Sequence, residues 1–335
     1  MISGGGFLLV LAGIERASDT GHMKVYAYDS YGGPDRLFAD TRPDPDVGDT
    51  DVLISVEAVG LNGSDLETLR GSPAYARLNG LRRPRRQVLG TDIAGVVLKT
   101  GPGVTRFAEG DRVFGDILDI KGGLAERVAA PERKLARCGT LTATEAAALP
   151  QNGAIALQGI GDASLQGKRV LINGAGGAAG TLAVQRARAL GAEVITAVDR
   201  GSKLARLSEI GATEGIDFER KDFTAQGDRW DLILDLFGTR GAGRVVRALK
   251  PDGRYRIVGG PVGALLSCGL IGSLHRSGGR SIGIMALKQS TDVLERLAGG
   301  VLDPIIDSIW PFEETPAAFA HMASGNSVGK VVITL

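Results

Sequence analysis

Between Asn173 and Gly180 the chain reads Asn-Gly-Ala-Gly-Gly-Ala-Ala-Gly, a run almost without side chains. Gly174-x-Gly176-x-x-Ala179 fits the spacing by which a strand turns into a helix around a dinucleotide pyrophosphate. Small residues tighten the turn and let a phosphate approach the backbone, while unpaired N–H groups at the helix start face its charge. The whole run Gly174, Ala175, Gly176, Gly177, Ala178, Ala179, Gly180 is therefore a candidate coenzyme cradle, since strand–helix packing alone seldom demands so many small residues. Asp199 lies some twenty residues beyond the loop, where a carboxylate would accept bonds from a ribose diol. Arg200 and Lys203 follow it and could instead pair with a 2′-phosphate. That pair favours NADP(H) and leaves NAD(H) open; as surface charges beside a capping Asp199, the three would decide nothing.

Other reactive residue types are sparse. The two cysteines, Cys138 and Cys268, stand far apart and in no metal or redox spacing, which fits a reduced, cytoplasmic compartment. The histidines are His22, His275 and His321, and no Ser-His-Asp or Cys-His set assembles from them. His275, in SLHRSGG, is the one expected to border a substrate cleft, whereas His321 reads as structural, with no evident partner. The cluster Arg82-Arg83-Pro84-Arg85-Arg86 reads first as a solvated loop and second as an anion site.

Around these residues the chain has two rhythms. From Lys24 to about Pro150, short alternating segments such as DVLISVEAV and TDIAGVVLKTG, separated by GPGV and EGD, predict the strands of a mostly antiparallel body. Near Thr142 strands begin to alternate with helices: RVLIN, a helix from Gly180 to Leu190, EVITAV, a helix from Lys203 to Ile210, WDLILDLFG, a helix from Gly243 to Leu249, then GRYRIVGG. That alternation predicts a parallel, doubly wound sheet. Helices at Gln289 to Ala298 and Thr315 to Ala323, and a last strand KVVITL, return the chain to its first body. The expected division is 1–22 as an appendage (a tag or mis-called start), 23–148 with 287–335 as the β-rich body, and 149–286 as the dinucleotide-binding one.

The 335 residues suffice for two cores, and 50 glycines imply many tight turns. A formal net charge of +1 offers no broad field for nucleic acid or an acidic membrane, and no apolar run approaches a spanning length. The expected partner is a small-molecule substrate.

The motifs LNGSDLETLRG, RRPRRQVLGTDIAGVV, GPGVTRFAEGDRVFGD, EAAALP, RVLINGAGGAAG, WDLILDLFG, ALKPDGRYRIVGG and GKVVITL carry a resemblance. In order and spacing they are similar to the medium-chain dehydrogenase/reductase superfamily, and within it to zinc-independent quinone-oxidoreductase-like and NAD(P)-dependent alcohol dehydrogenase-like members. The resemblance spans Met23 to Leu335 and implies an α/β fold: a GroES-like, mostly-β catalytic domain plus a Rossmann domain. Zinc-dependent relatives carry Cys-Gly-Ser/Thr-Asp where this chain has Asn62-Gly63-Ser64-Asp65, and Gly-His-Glu where it has Gly90-Thr91-Asp92. Without that thiolate and imidazole no catalytic zinc is expected.

The resemblance then implies an NAD(P)H-dependent reductase acting by hydride transfer on a conjugated carbonyl (enone or enoyl) or a quinone, with hydrogen-bond donors holding the developing negative charge. A zinc-free alcohol/carbonyl dehydrogenase, or a non-redox cyclase-, isomerase- or regulator-like member, stays open. Asn62 occupies the zinc-cysteine position and is the first polar candidate; a turn-forming asparagine bonded to its own backbone is the competing reading. Asp65 is a proton relay or, more simply, a helix cap, and Tyr75 a proton donor or a lining residue. Gln151 and Asn152 stand where relatives carry small or apolar residues, which makes them specificity candidates, and Ile155 replaces a threonine that would bond the carboxamide. Gly259, Gly260 and Pro261 correspond to the family's backbone wall beside the nicotinamide, and Gly238 to its ribose-side turn. A homodimer joined through the edges of the nucleotide-binding sheets is also implied.

Overall fold

The computed structural model describes residues 21–227, 229–274 and 279–335, and among them the two sequence rhythms become two principal sheets. The first part of the chain forms β1 (His22–Ala27), β2 (Phe38–Pro43), β3 (Asp51–Gly60), β4 (Asp92–Thr100), β5 (Arg112–Asp116), β6 (Arg127–Pro131) and β7 (Leu135–Arg137). A short helix, α1 (Gly63–Arg70), follows β3. β1 and β2 pair antiparallel as a separate ribbon. The ribbon begins at His22, one residue inside the segment set apart as an appendage, and the His22 carbonyl accepts a bond from Arg127. Along β3, Val52, Ile54 and Val56 are buried while Leu53, Ser55 and Glu57 are less so, the period of a strand with one face in a core.

Two strands from the far end of the chain, β14 (Ile306–Pro311) and β15 (Lys330–Thr334), complete this GroES-like sheet in the order β14-β15-β3-β4-β5-β7, with β6 on β3. β15 lies antiparallel to β3, its Val332 opposite Gly60. The terminal Lys-Val-Val-Ile-Thr segment is thus brought beside residues some 270 positions earlier, which matters for the site.

The second sheet comprises β8 (Arg169–Asn173), β9 (Val194–Asp199), β10 (Glu214–Asp217), β11 (Trp230–Asp235), β12 (Leu249–Ile257) and β13 (Ser281–Ile284). Its pairs are parallel and its order is β10-β9-β8-β11-β12-β13. Counted from β8 this is 3-2-1-4-5-6, the Rossmann order, whose reversal between β8 and β11 opens a crevice at the strands' carboxyl ends. Continuous burial of Val170 to Asn173 is what a strand covered on both faces requires.

The apolar run from Thr142 to Ile160 forms two helices rather than one. Pro150 lacks an N–H and is suited to a first helical turn, so α2 (Ala143–Ala148) ends and α3 (Pro150–Ile160) begins anew. α3 is buried almost all round and packs against β5 of one sheet and β11 of the other. Its first turn therefore delivers Gln151 and Asn152 to the seam between them. α4 (Ala178–Ala189) starts two residues earlier than its apolar pattern suggests, directly on the glycine loop. The remaining helices are α5 (Leu204–Ile210), α6 (Ala242–Ala248), α7 (Val262–Leu274), α8 (Thr291–Ala298) and α9 (Thr315–Ser324).

Candidate active site

A cleft of about 590 Å³ runs along the seam. Asn62 and Asn152 line one part of it, and Gly177, Ala178, Asp199, Arg200 and Lys203 another. The sequence's two groups of candidates, from opposite halves of the chain, thus share one cavity.

The glycine loop is built for close approach. Gly174 takes φ 88°, and a Cβ there would stand 2.6 Å from the Phe237 ring. At Gly180 a Cβ would come within 2.3 Å of the Gly174 carbonyl, so helix and loop touch backbone to backbone. Thr181 N is the first in α4 to bond back along the helix, to Gly177 O at 2.9 Å. The amides of Ala178, Ala179 and Gly180 precede it and have no intrahelical acceptor, which leaves donors at a positive helix end beside the cleft. The Gly176 amide is already engaged, donating to Asp199 Oδ2 at 2.7 Å. Asp199 is well occupied: its other oxygen accepts from Arg200 N at 2.8 Å and stands 3.4 Å from Lys203 Nζ. Arg200 reaches across to the other sheet's helix end, donating to Ser324 O at 3.0 Å and Asn326 Oδ1 at 2.8 Å. Cationic side chains and open amides in one groove suit a phosphate-rich coenzyme.

Deeper in, Asn62 stands at the N-cap position of α1, in a capping box with Asp65. Its Nδ2 donates to Thr91 Oγ1 at 2.9 Å, while its Oδ1 accepts from Asn152 Nδ2 and from Lys330 Nζ, each at 2.7 Å. Lys330, the lysine of KVVITL, is 1% exposed and also donates to Asp92 Oδ2 at 2.9 Å. Asp92 in turn accepts from the Gln151 amide at 3.1 Å. Across the β4–β5 pair from Asp92 sits Asp116, whose carboxyl is pushed up to about 8, first by burial and then by the charge on Asp92. Gln289 donates to Asp116 Oδ2.

The other predicted residues take more local roles. Asp65 is fully buried and accepts from the amides of Asn62 at 3.0 Å and Gly90 at 3.1 Å, tying the start of α1 to the segment that leads into β4. Burial raises its pKa, against the pull of Lys121. Tyr75 donates to Glu67 Oε2 at 3.1 Å, and burial together with the Glu67 charge pushes its phenol up to about 12. The Gln151 side chain accepts from Ser64 Oγ at 3.1 Å and is held back from the cleft lining. Gly238 adopts φ 60° and donates to Asp235 Oδ1 at 2.8 Å.

His321 is not without a partner, as its sequence context suggested: its Nε2 lies 2.7 Å from Asp307 Oδ2. His275 lies outside the described residues. Arg82, Arg83, Arg85 and Arg86 are exposed around a buried Pro84 and do not line the cleft.

Sequence reasoning passed over Lys330, Asp92 and the second carboxylate hub, Asp235. Fully buried, Asp235 accepts from Asn173 Nδ2 at 2.7 Å and from Tyr255 OH at 2.9 Å, fixing the cleft-lining Asn173 at the crevice between β8 and β11. A polar residue at the buried end of an apolar strand was the available signal for Asp235 and for Asn173; for Lys330 it was a cation opening a strand otherwise buried.

Comparison with known proteins agrees with this architecture. Residues 48–143 match the profile of the alcohol dehydrogenase GroES-like domain, and residues 210–333 that described as zinc-binding dehydrogenase. The chain is 32% identical to a 2-methylene-furan-3-one reductase of Solanum lycopersicum, over 93% of this chain and 79% of that one. It is 30% identical to an NADPH-dependent alkenal/one oxidoreductase of Arabidopsis thaliana, over 95% of this chain and 81% of the relative. The solved structure of the quinone oxidoreductase from Coxiella burnetii superposes with a TM-score of 0.82 at 27% identity, over 94% of this chain and 99% of that one. Among the described residues no group of three or more His, Cys, Asp or Glu is placed to hold the zinc of the second profile's description. Asn62, Thr91 and Asn152 are neutral amides and a hydroxyl, and the Lys330 ammonium 2.7 Å from Asn62 Oδ1 would repel a dication there.

Proposed function

The chain belongs to the medium-chain dehydrogenase/reductase superfamily, in its quinone-oxidoreductase-like branch, and from that membership we propose a zinc-independent NADPH-dependent reductase of conjugated carbonyls and quinones. The observation that carries the reading is one cleft with two chemically distinct ends: open helix amides and cations at one, and neutral amides fixed by a buried ion pair at the other. Relatives named as an alkenal/one oxidoreductase and a quinone oxidoreductase supply the acceptor class.

The first end holds the coenzyme. The Ala178, Ala179 and Gly180 amides face its pyrophosphate, and Lys203 and Arg200 its adenosine ribose. Asp199 already serves two amides and Lys203, so little acceptor capacity is left for a ribose diol; this favours a 2′-phosphate, hence NADP(H) over NAD(H). Bound there, the coenzyme supplies a hydride. The chain's part is to orient the acceptor, exclude water and stabilise charge. Asn62 and Asn152 offer amide N–H groups to the acceptor's carbonyl oxygen, where negative charge grows as its conjugated carbon is reduced. Tyr75 donates to Glu67, a local tie rather than a route for proton delivery; solvent supplies the proton that completes the product.

No helix among the described residues is long and apolar enough to cross a membrane, and we place the enzyme in the cytoplasm as a homodimer joined along β13. Exposed Ile284 on β13, with exposed Val262 and Leu266 on α7 packed beside it, supports the dimer, and a sedimentation mass near twice 34.8 kDa is the expected outcome.

The test of the activity is a panel of enones and quinones mixed with protein and NADPH deuterated at nicotinamide C4. Loss of the reduced coenzyme's absorbance, with deuterium on the β-carbon of the reduced enone, is expected. Coenzyme binding without transfer to any acceptor would favour a non-redox role instead.

A further inference from the structure

We propose that Lys330 is a positioning residue that fixes the polarity of the paired cleft amides, so that Asn62 meets substrate only as a donor and the site selects acceptors bearing a carbonyl oxygen. The inference rests on the reductase reading above and specifies how its substrate end is set.

The argument starts from an asymmetry in hydrogen-bonding capacity. A lysine ammonium has three donors and no acceptor. An amide beside it must turn its oxygen, not its nitrogen, toward it. With Lys330 Nζ 2.7 Å away, the Asn62 atom on that side is therefore Oδ1. The same oxygen faces Asn152 at 2.7 Å, so Asn152 must present its NH2 group there. On the opposite side Asn62 Nδ2 donates to Thr91 Oγ1 at 2.9 Å. Both lone pairs of Asn62 Oδ1 are then used and one of its two N–H donors is used. What remains to a ligand is one N–H. The oxygen and nitrogen ends of an amide have nearly the same shape, so the donors and acceptors around it decide which way it points. Here a single cation makes that choice and passes it to the second amide.

Lys330 is itself held. Its Nζ lies 2.9 Å from Asp92 Oδ2, both side chains are almost wholly buried, and Asp92 also accepts from the Gln151 amide at the start of α3. The strand register that sets β15 against β3 brings the lysine to this point, since Gly60, where a Cβ would come within 2.5 Å of Lys330 Cε, leaves its stem a path. A cation wholly desolvated beside a substrate cleft, but bonded to an amide rather than open to the cavity, is arranged to orient.

In the reaction the consequence falls on the carbonyl oxygen. Hydride addition to the β-carbon moves the alkene electron pair onto the α-carbon and carbonyl, giving an enolate, and a solvent proton then closes the α-carbon. The N–H left on Asn62 meets that enolate oxygen in the state where its charge is largest.

The test uses the full-length protein with Lys330→Met, and with Asp92→Asn/Lys330→Met. The double variant removes both charges together and so avoids the uncompensated buried carboxylate that could unfold the single one. Melting temperature, NADPH affinity, kcat and KM for 4-phenyl-3-buten-2-one, and the infrared carbonyl stretch of the same enone, 13C-labelled, bound with NADP+ are measured. The expected result is a folded double variant with unchanged NADPH affinity and a kcat lower by about 10- to 100-fold, against a smaller change in KM. Its bound carbonyl stretch would lie at higher frequency than in the parent protein, because the donor is no longer aimed. A folded, coenzyme-binding double variant with parental kcat and an unshifted carbonyl stretch would overturn the proposal and leave Lys330 a structural ion-pair partner. If the parent protein itself reduces no enone or quinone, the reductase reading fails first, and the two failures are thereby told apart.

Discussion

The Asp199 carboxylate stands between Gly176 and Lys203, and each of its oxygens already accepts a bond from its own loop or the residue after it. This is the residue-scale basis for coenzyme choice. An aspartate that caps its own loop is a poor partner for a ribose diol, and Lys203 and Arg200 beside it are suited to a phosphate. A charge-assisted bond of this kind contributes about 1.5–3 kcal/mol. Arg200→Ala/Lys203→Ala should therefore raise KM for NADPH by about 10- to 100-fold while leaving that for NADH nearly unchanged, as steady-state kinetics with each coenzyme would show. A parallel rise for both would argue that the cations hold the cleft's shape rather than a phosphate. Much of this was readable beforehand, because Asp199, Arg200 and Lys203 fall at a fixed distance after a recognisable loop. Lys330 was not readable in the same way. In the sequence it opens an apolar strand like many surface lysines, and only the antiparallel register of β15 on β3 brings it to Asn62.

At the scale of elements, the strand–loop–helix unit from β8 to α4 was the most legible part of the chain, since each step is dictated by local geometry. Its glycines nevertheless do different work. A methyl at Gly180 would meet backbone atoms at 2.3 and 2.6 Å, and backbone cannot rotate away; one at Gly177 would meet nothing nearer than 3.6 Å. Gly180→Ala should thus destabilise by roughly 1–3 kcal/mol, lowering the melting temperature by several degrees, about 2–4 °C per kcal/mol. Gly177→Ala should leave the melting temperature where it is and weaken NADPH binding, because Gly177 lines the cleft. Calorimetry and coenzyme titration on the pair separate packing from ligand approach, and equal losses of stability would contradict the assignment. The break between α2 and α3 was harder to anticipate. Both lie in one apolar run, and what distinguishes them is burial of α3 between two sheets, a tertiary fact that periodicity does not carry.

The molecule as a whole keeps an unusual load of charge in its seam: Asp65, Asp92 and Asp116 are all buried, and Lys330 and Lys121 answer them from the strand β15 and the loop after β5. Two cations against three carboxylates leave one acid that gains by keeping its proton, and burial together with the Asp92 charge selects Asp116, pushed up to about 8. In the unfolded chain the same group titrates near 4. Between those values the folded protein binds the proton more tightly than the unfolded one, so this contribution to stability is fully present below about pH 4 and is lost as the pH rises through about 8. Each unit of displacement is worth about 1.4 kcal/mol, enough to tilt a melting curve visibly. Asp116→Asn keeps a neutral oxygen acceptor for the Leu118 amide, which Asp116 Oδ1 serves at 2.8 Å, and removes the titration. Thermal unfolding from pH 5 to 9 should then show the parent protein losing stability more steeply than the variant, with the difference flattening above pH 9. Parallel curves would mean that Asp116 is ionised throughout and that the buried charges are balanced by some other group facing it.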